Sequence, residues 1–130
     1  MERDPIDPSL DQIAHQIVDS AFKVHSTLGP GLLEQIYETC LAKELIKRGL
    51  RVDRQLEVPV SYDGERLDTG FRLDLLVDEK VIIEVKAVES LASVHQAQLL
   101  TYLKLSGKRL GLLINFNVPI IRQGIKRIVL

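Results

Sequence analysis

From Leu10 to Leu28 the apolar residues Leu10, Ile13, Ile17, Ala21, Val24 and Leu28 fall three or four apart, the repeat of one helix face. Ser9 stands where a capping hydroxyl belongs, so the pattern predicts a helix over about 10–28 behind a polar tail at residues 1–8. Gly29-Pro30-Gly31 breaks it, because proline disfavours helix in the residue before it and glycine adds freedom. A second helix is expected over about 32–48, with Leu33, Ile36, Tyr37, Cys40, Leu41 and Leu45 inward and Gly49 at its end.

The period then falls to two. Leu56, Val58 and Val60 alternate with polar residues, and Asp63-Gly64 is a hairpin turn pair. Phe71, Leu73, Leu75 and Val77 form one odd-numbered apolar set, and Val81, Ile83, Val85 and Ala87 form another. A third helix is expected over about 91–105, stopped by Gly107. The nearly unbroken apolar run Leu110–Phe116 suits a strand buried on both faces, and a last strand is expected over 124–129. The order α-α-β-β-β-α-β-β defines an α/β fold, a mixed sheet flanked by helices with the third helix as crossover.

Register then locates the chemistry. Opposed residues in an antiparallel pair share a face. The two odd-numbered sets meet one core layer only if partner numbers sum to an even value, as Val77 opposite Val81 does. That register sets Asp74 against Glu84, with Lys86 further along the same face, and it calls for a three- or five-residue connection or a bulge. Two carboxylates at a cross-strand separation of about 5 Å repel unless positive charge lies between them. A hard divalent cation such as Mg²⁺ takes oxygen ligands and keeps waters for a phosphate. Lys86 could then orient a water or stabilise developing charge. The plainer alternative is a solvated face neutralised by Arg72 and Lys86. Leu76 and Ile82 flank the charges and argue against full solvation, and a buried charge cluster needs compensation.

Composition narrows the classes. With 130 residues, 45% hydrophobic and 27% charged, the chain suits one globular domain, expected over 9–130. Lys and Arg number 17 against 18 Asp and Glu, a net charge of −1, so no global positive field marks a nucleic-acid binder. Cys40 is the single cysteine, which excludes an internal disulfide and a multi-cysteine zinc site. No apolar run approaches the roughly 20 residues that span a bilayer. The acidic, proline-bearing start is unlike a secretory signal, so a cytoplasmic protein without membrane contact is expected.

Asp74 followed ten residues later by Glu84-Val85-Lys86 resembles the D…(D/E)xK signature of the PD-(D/E)XK nuclease superfamily, with Leu73 in place of the proline of the name. Gln98-Leu-Leu-Thr-Tyr102 is similar to the QxxxY element of its RecB-like members. Gly31-Leu-Leu-Glu34-Gln-Ile-Tyr37 is similar to the element that names the GxxExxY branch, and the likeness runs from about Ile13 to Phe116. The resemblance implies a restriction-endonuclease-like α-β-β-β-α-β core. It implies Mg²⁺ (or Mn²⁺) held by Asp74, Glu84 and Glu34, with Lys86 assisting the attacking water. It also implies that Gln98 holds Lys86 or a phosphate, with Tyr37 and Tyr102 as accessory cleft residues. His95, one turn before Gln98, is a further accessory candidate, against the ordinary reading of a structural histidine. The expected function is Mg²⁺-dependent hydrolysis of nucleic-acid phosphodiesters, DNA ahead of RNA, with a homodimer or protein partner to help grip the substrate. The alternative is a non-enzymatic module that binds nucleic acid or protein on the same fold.

Overall fold

The computed structural model describes residues 5–130, so residues 1–4 of the expected tail lie outside the described residues. Helix α1 (Pro8–Leu28) begins earlier than expected. Asp7, not Ser9, caps it, accepting the Ser9 N–H at 2.9 Å, with Pro8 in the first turn where its missing N–H costs nothing. Ile6 already packs against the core, so the tail boundary at residue 8 is too late.

Helix α2 (Glu34–Lys47) starts two residues later than expected, because Leu32 and Leu33 belong to the preceding loop. The Tyr37 hydroxyl holds that loop, donating to Gly29 O at 2.6 Å and accepting the Leu32 N–H at 3.0 Å. Gly31 stands there at φ 99°, a backbone that glycine alone adopts cheaply. The inward face of α2 is accordingly Tyr37, Glu38, Leu41, Ala42 and Leu45. Leu33 (74% exposed) and Ile36 face outward, and Cys40 is half-buried.

Strands β1 (Val52–Tyr62), β2 (Glu65–Val77), β3 (Val81–Lys86), β4 (Leu110–Asn115) and β5 (Ile125–Val129) form one sheet in chain order. Helix α3 (Ser93–Ser106) is the crossover that makes β3 and β4 parallel, while the other pairs are antiparallel. Helices α1 and α2 pack on one face around Ile17, Leu41, Leu75, Val77, Ile83 and Ile114. Helix α3 covers the other face through Leu99 and Leu103 against Leu73, Leu76, Ile82 and Leu113. Strand β4 is buried throughout, as its unbroken apolar run requires. At Gly111 an added Cβ would stand 2.9 Å from the Leu99 side chain, so glycine lets α3 lie close to the sheet.

The turn Asp63-Gly64 has both residues at positive φ, as expected of this pair. The connection Asp78–Lys80 is three residues long and closes with the Lys80 N–H on Val77 O at 3.0 Å, giving the expected Val77↔Val81 register. One expectation fails. The odd-numbered set of β2 does not stay in one layer: Leu75 and Val77 face α1 and α2, whereas Phe71 and Leu73 pack with the α3 cluster. Strand β1 changes layers at the same level, between Val52 and Leu56. Gln55, at φ 50°, is the kink in β1, and it lies between the pairs Arg54↔Leu75 and Leu56↔Leu73, across from Asp74. A left-handed residue turns the following segment, so the hairpin rolls over the sheet edge at Gln55 and Asp74.

Candidate active site

The β2–β3 ladder runs from Val77↔Val81 to Leu75↔Ile83. One step further, side chains take over from main chain. The Asp74 N–H donates to Glu84 Oε2 at 2.9 Å, and the Val85 N–H donates to Asp74 Oδ2 at 2.8 Å. The two carboxylates thus meet where the register puts them, each committing one oxygen to the opposite strand's backbone.

The pair is short of positive charge. Glu84 is 4% exposed and Asp74 is half-buried. Burial foremost, then the Asp74 charge, pushes Glu84 up to about 8, against the backbone hydrogen bond and Lys86, which favour its charged form. Asp74 is also raised, chiefly by burial, with the Val85 N–H, Lys86 and Gln55 opposing. The tightly coupled pair therefore holds a proton that two surface carboxylates would have lost. Lys86 is half-buried and acts electrostatically on Glu34, Asp74 and Glu84, yet among the described residues no carboxylate lies within ion-pair distance of its ammonium group.

Glu34, in the first turn of α2, belongs to the same field. Partial desolvation raises it first, Asp74 and Glu38 raise it further, and Lys86 and the Ala87 amide oppose them. Helix α2 packs against β3, and Glu34 itself is exposed. Tyr102 approaches from α3. Its ring stacks on Phe71 with centroids 4.5 Å apart, and burial followed by the charges of Glu84 and Asp74 raises its hydroxyl. Tyr102 thus keeps its proton in the negative field.

Other expected site residues do different work. Tyr37 is fully buried, stacked on Phe116 at 4.7 Å, and its hydroxyl is spent on the loop before Glu34, so it acts on the core and not in the cleft. His95 Nδ1 accepts the Ala92 N–H at 3.0 Å, which makes it a cap for α3. Gln98 is exposed and hydrogen-bonds to no described residue, so the expected hold on Lys86 is not made.

Three residues escaped the sequence reading. Glu38, 5% exposed, accepts from Arg54 at 3.2 Å and from Gln55 Nε2 at 2.6 Å. Its signal was its place one turn after Glu34 on the same helix face. Gln55 could not be placed, because a straight register from Asp63-Gly64 sets it against Arg72. The irregularity between Pro59 and Ser61 shifts the pairing and brings it to Asp74. Asn115, 1% exposed and beside Lys86 in the β3–β4 register, uses its amide on both backbone groups of Val88 (3.0 and 2.9 Å), which anchors the segment leaving β3.

Among the described residues no three His, Cys, Asp or Glu side chains stand together as a ready-made metal cage. The donor set still fits a hard divalent cation. Two adjacent carboxylates, one buried and one half-buried, supply charge and oxygen, and such a cation completes its shell with waters or phosphate. A mixed sheet between helices, bearing an Asp, a Glu and a Lys on its neighbouring strands β2 and β3, defines a nuclease-type α/β domain. A family profile for the PD-(D/E)XK nuclease superfamily matches residues 11–128, and the chain belongs to that superfamily. Neither a curated protein nor a solved structure matches it. No helix among the described residues is long and apolar enough to cross a membrane.

Proposed function

We propose that the protein is a Mg²⁺- or Mn²⁺-dependent nuclease of the GxxExxY branch, hydrolysing phosphodiester bonds of DNA ahead of RNA, in the cytoplasm. The observation that carries this reading is the pair of buried Glu84 and half-buried Asp74, with its unspent neighbour Lys86. Asp74 and Glu84 would hold the cation, with Glu34 as a further acidic contact. When bound, the cation supplies Lewis-acid stabilisation of the phosphate and lowers the pKa of water.

The chain's own groups do the rest. Lys86 orients the attacking water and stabilises negative charge on the phosphoryl oxygens as the water oxygen bonds to phosphorus and the bond to the leaving oxygen breaks. The protonated Tyr102 hydroxyl donates a hydrogen bond to a phosphate oxygen, and exposed Gln98 offers its amide to the neighbouring phosphate.

A second reading draws on a specific observation. Arg48 pairs with Glu44, Arg51 with Asp53 and Glu79, and Arg54 with Glu38, so this basic cluster is spent within the protein. That supports a second copy or a protein partner that supplies grip, and it is the best argument for a non-enzymatic binding module. Cleavage assays on single- and double-stranded DNA and RNA with Mg²⁺ or Mn²⁺ separate the two. Lys86→Ala is expected to bind Mn²⁺ at least as tightly as wild type and to cleave slower by about 10² to 10⁴. Absence of cation-dependent cleavage by wild type, or equal cleavage by Lys86→Ala, would put the binding module ahead.

A further inference from the structure

We infer that Gln55 is a positioning residue for the cation site: its side-chain amide, anchored on the buried Glu38, reaches across the hairpin and fixes the Asp74 carboxylate. This rests on the metal-site reading above and adds a residue to it.

The backbone gives the first indication. Gln55 occupies φ 50° inside a strand, a conformation that glycine adopts freely and other residues adopt at a cost. Such strain persists where the surroundings over-determine it, and here they do. Nε2 donates to Glu38 Oε1 at 2.6 Å, the other Glu38 oxygen accepts from Arg54 at 3.2 Å, and Arg54 also reaches Thr39 Oγ1 at 2.9 Å. Glu38 is thereby a fixed anchor joining α2 to β1.

A primary amide nitrogen carries two N–H donors. One is spent on Glu38. The other is left over, and Asp74 stands directly across from Gln55 in the hairpin. The Val85 N–H holds one Asp74 oxygen from β3, and in the proposal the spare Gln55 N–H holds the side chain from β1. Partners behind a metal-binding carboxylate orient it, and losing one weakens metal affinity by on the order of tenfold to a hundredfold.

The kink lets backbone and side chain be tested apart. Gln55→Gly relieves the φ and deletes the amide, while Gln55→Leu keeps a Cβ and also deletes the amide. The readouts are Mn²⁺ titration by calorimetry, with free Mn²⁺ followed by electron paramagnetic resonance, and thermal unfolding of the metal-free full chain. Gln55→Gly should melt above Gln55→Leu, because it relieves the φ while both leave Glu38 without that donor, yet bind Mn²⁺ more weakly than wild type by roughly tenfold or more. Gln55→Leu should lose a similar factor. If both variants bind Mn²⁺ like wild type while Asp74→Ala does not bind, the role of Gln55 is overturned and the metal site stands. Loss of affinity in the Leu variant alone would assign the effect to backbone strain and also overturn it. If wild type binds no Mn²⁺, or Asp74→Ala binds as well as wild type, the metal-site reading falls and takes this inference with it.

Discussion

Glu84→Gln tests the physical chemistry of the site with no cation or substrate present. In the folded protein Glu84 ionises only near pH 8, because its carboxyl is buried beside Asp74. In the unfolded chain it ionises near its ordinary value of 4.5. Between those values the folded state binds the extra proton, so stability must fall as pH rises through the window, with no contribution below it and a constant loss above it. The gap from 4.5 to about 8, at about 1.36 kcal/mol per pH unit, is worth on the order of 5 kcal/mol. That is a large share of the roughly 5–15 kcal/mol that holds a domain folded.

Glutamine removes the ionisation and keeps the shape. Its amide oxygen can still accept the Asp74 N–H that Glu84 Oε2 accepts at 2.9 Å, and its NH₂ faces Asp74 with attraction in place of repulsion. Urea unfolding followed by far-UV circular dichroism, in chelator, should therefore give a stability difference that favours the glutamine variant. The difference should be small near pH 4.5, grow with pH, and level off above about 8. Because Asp74 is present in both proteins, the comparison reads Glu84 together with its coupling to Asp74. A difference that stays constant across the window, or that shrinks with pH, would refute the reasoning, since Glu84 would then be ionised in both states.

Added Mn²⁺ should reverse this slope: wild-type affinity should rise with pH up to about 8, because the cation displaces the proton on the pair, and calorimetry in buffers of different ionisation enthalpy would detect its release. Tyr37→Phe keeps the stack on Phe116 but leaves the Gly29 carbonyl and the Leu32 N–H without the hydroxyl, and should cost about 1–3 kcal/mol in urea unfolding. Asn115→Ala leaves the Val88 N–H without its partner and Val88 O with only the longer bond from Asn117, with an expected loss of about 1–3 kcal/mol in the same assay.

The elements and their order were legible because they depend on apolar period and on turn chemistry, and both are local. The Asp74–Glu84 pairing was legible for a stronger reason: Val77 and Val81 meet the same layer only in one register, and a three-residue turn supplies it. What escaped depends on departures from regularity. The roll of the hairpin at Gln55 moves Leu73 and Phe71 to the α3 layer without breaking the apolar pattern, so nothing in the alternation announces it. Leu33 and Ile36 fit a helix face by spacing, yet they point outward because the Tyr37 hydroxyl ties the loop and sets the start and roll of α2. Tyr37 and His95 looked like cleft residues for the same reason: a sequence displays a polar atom but not the backbone group that consumes it.

Departures from local rules are also evidence of function in their own right, since a sequence under selection for stability alone would remove them. Around Asp74 several come together. A non-glycine residue holds positive φ at Gln55, the β2–β3 ladder passes from main chain to side chains, and the buried Glu84 carboxylate stands beside the half-buried Asp74. The third acid, Glu34, is raised despite sitting at a helix N-terminus, where the macrodipole favours its charge. The other positive-φ residues, Asp63, Asp78 and Glu79, are accounted for by tight turns. Gln55 has no turn to serve, and Glu84 would be more comfortable as a leucine among Leu76, Ile82 and Leu113. Gln55 ends a hydrogen-bonded chain that runs from Arg54 through Glu38, and it stands across the hairpin from Asp74, whose N–H donates to Glu84. A stability cost concentrated on polar groups in one place, where the hairpin changes layers, is what an active site requires and what a merely solvated charged face would not retain.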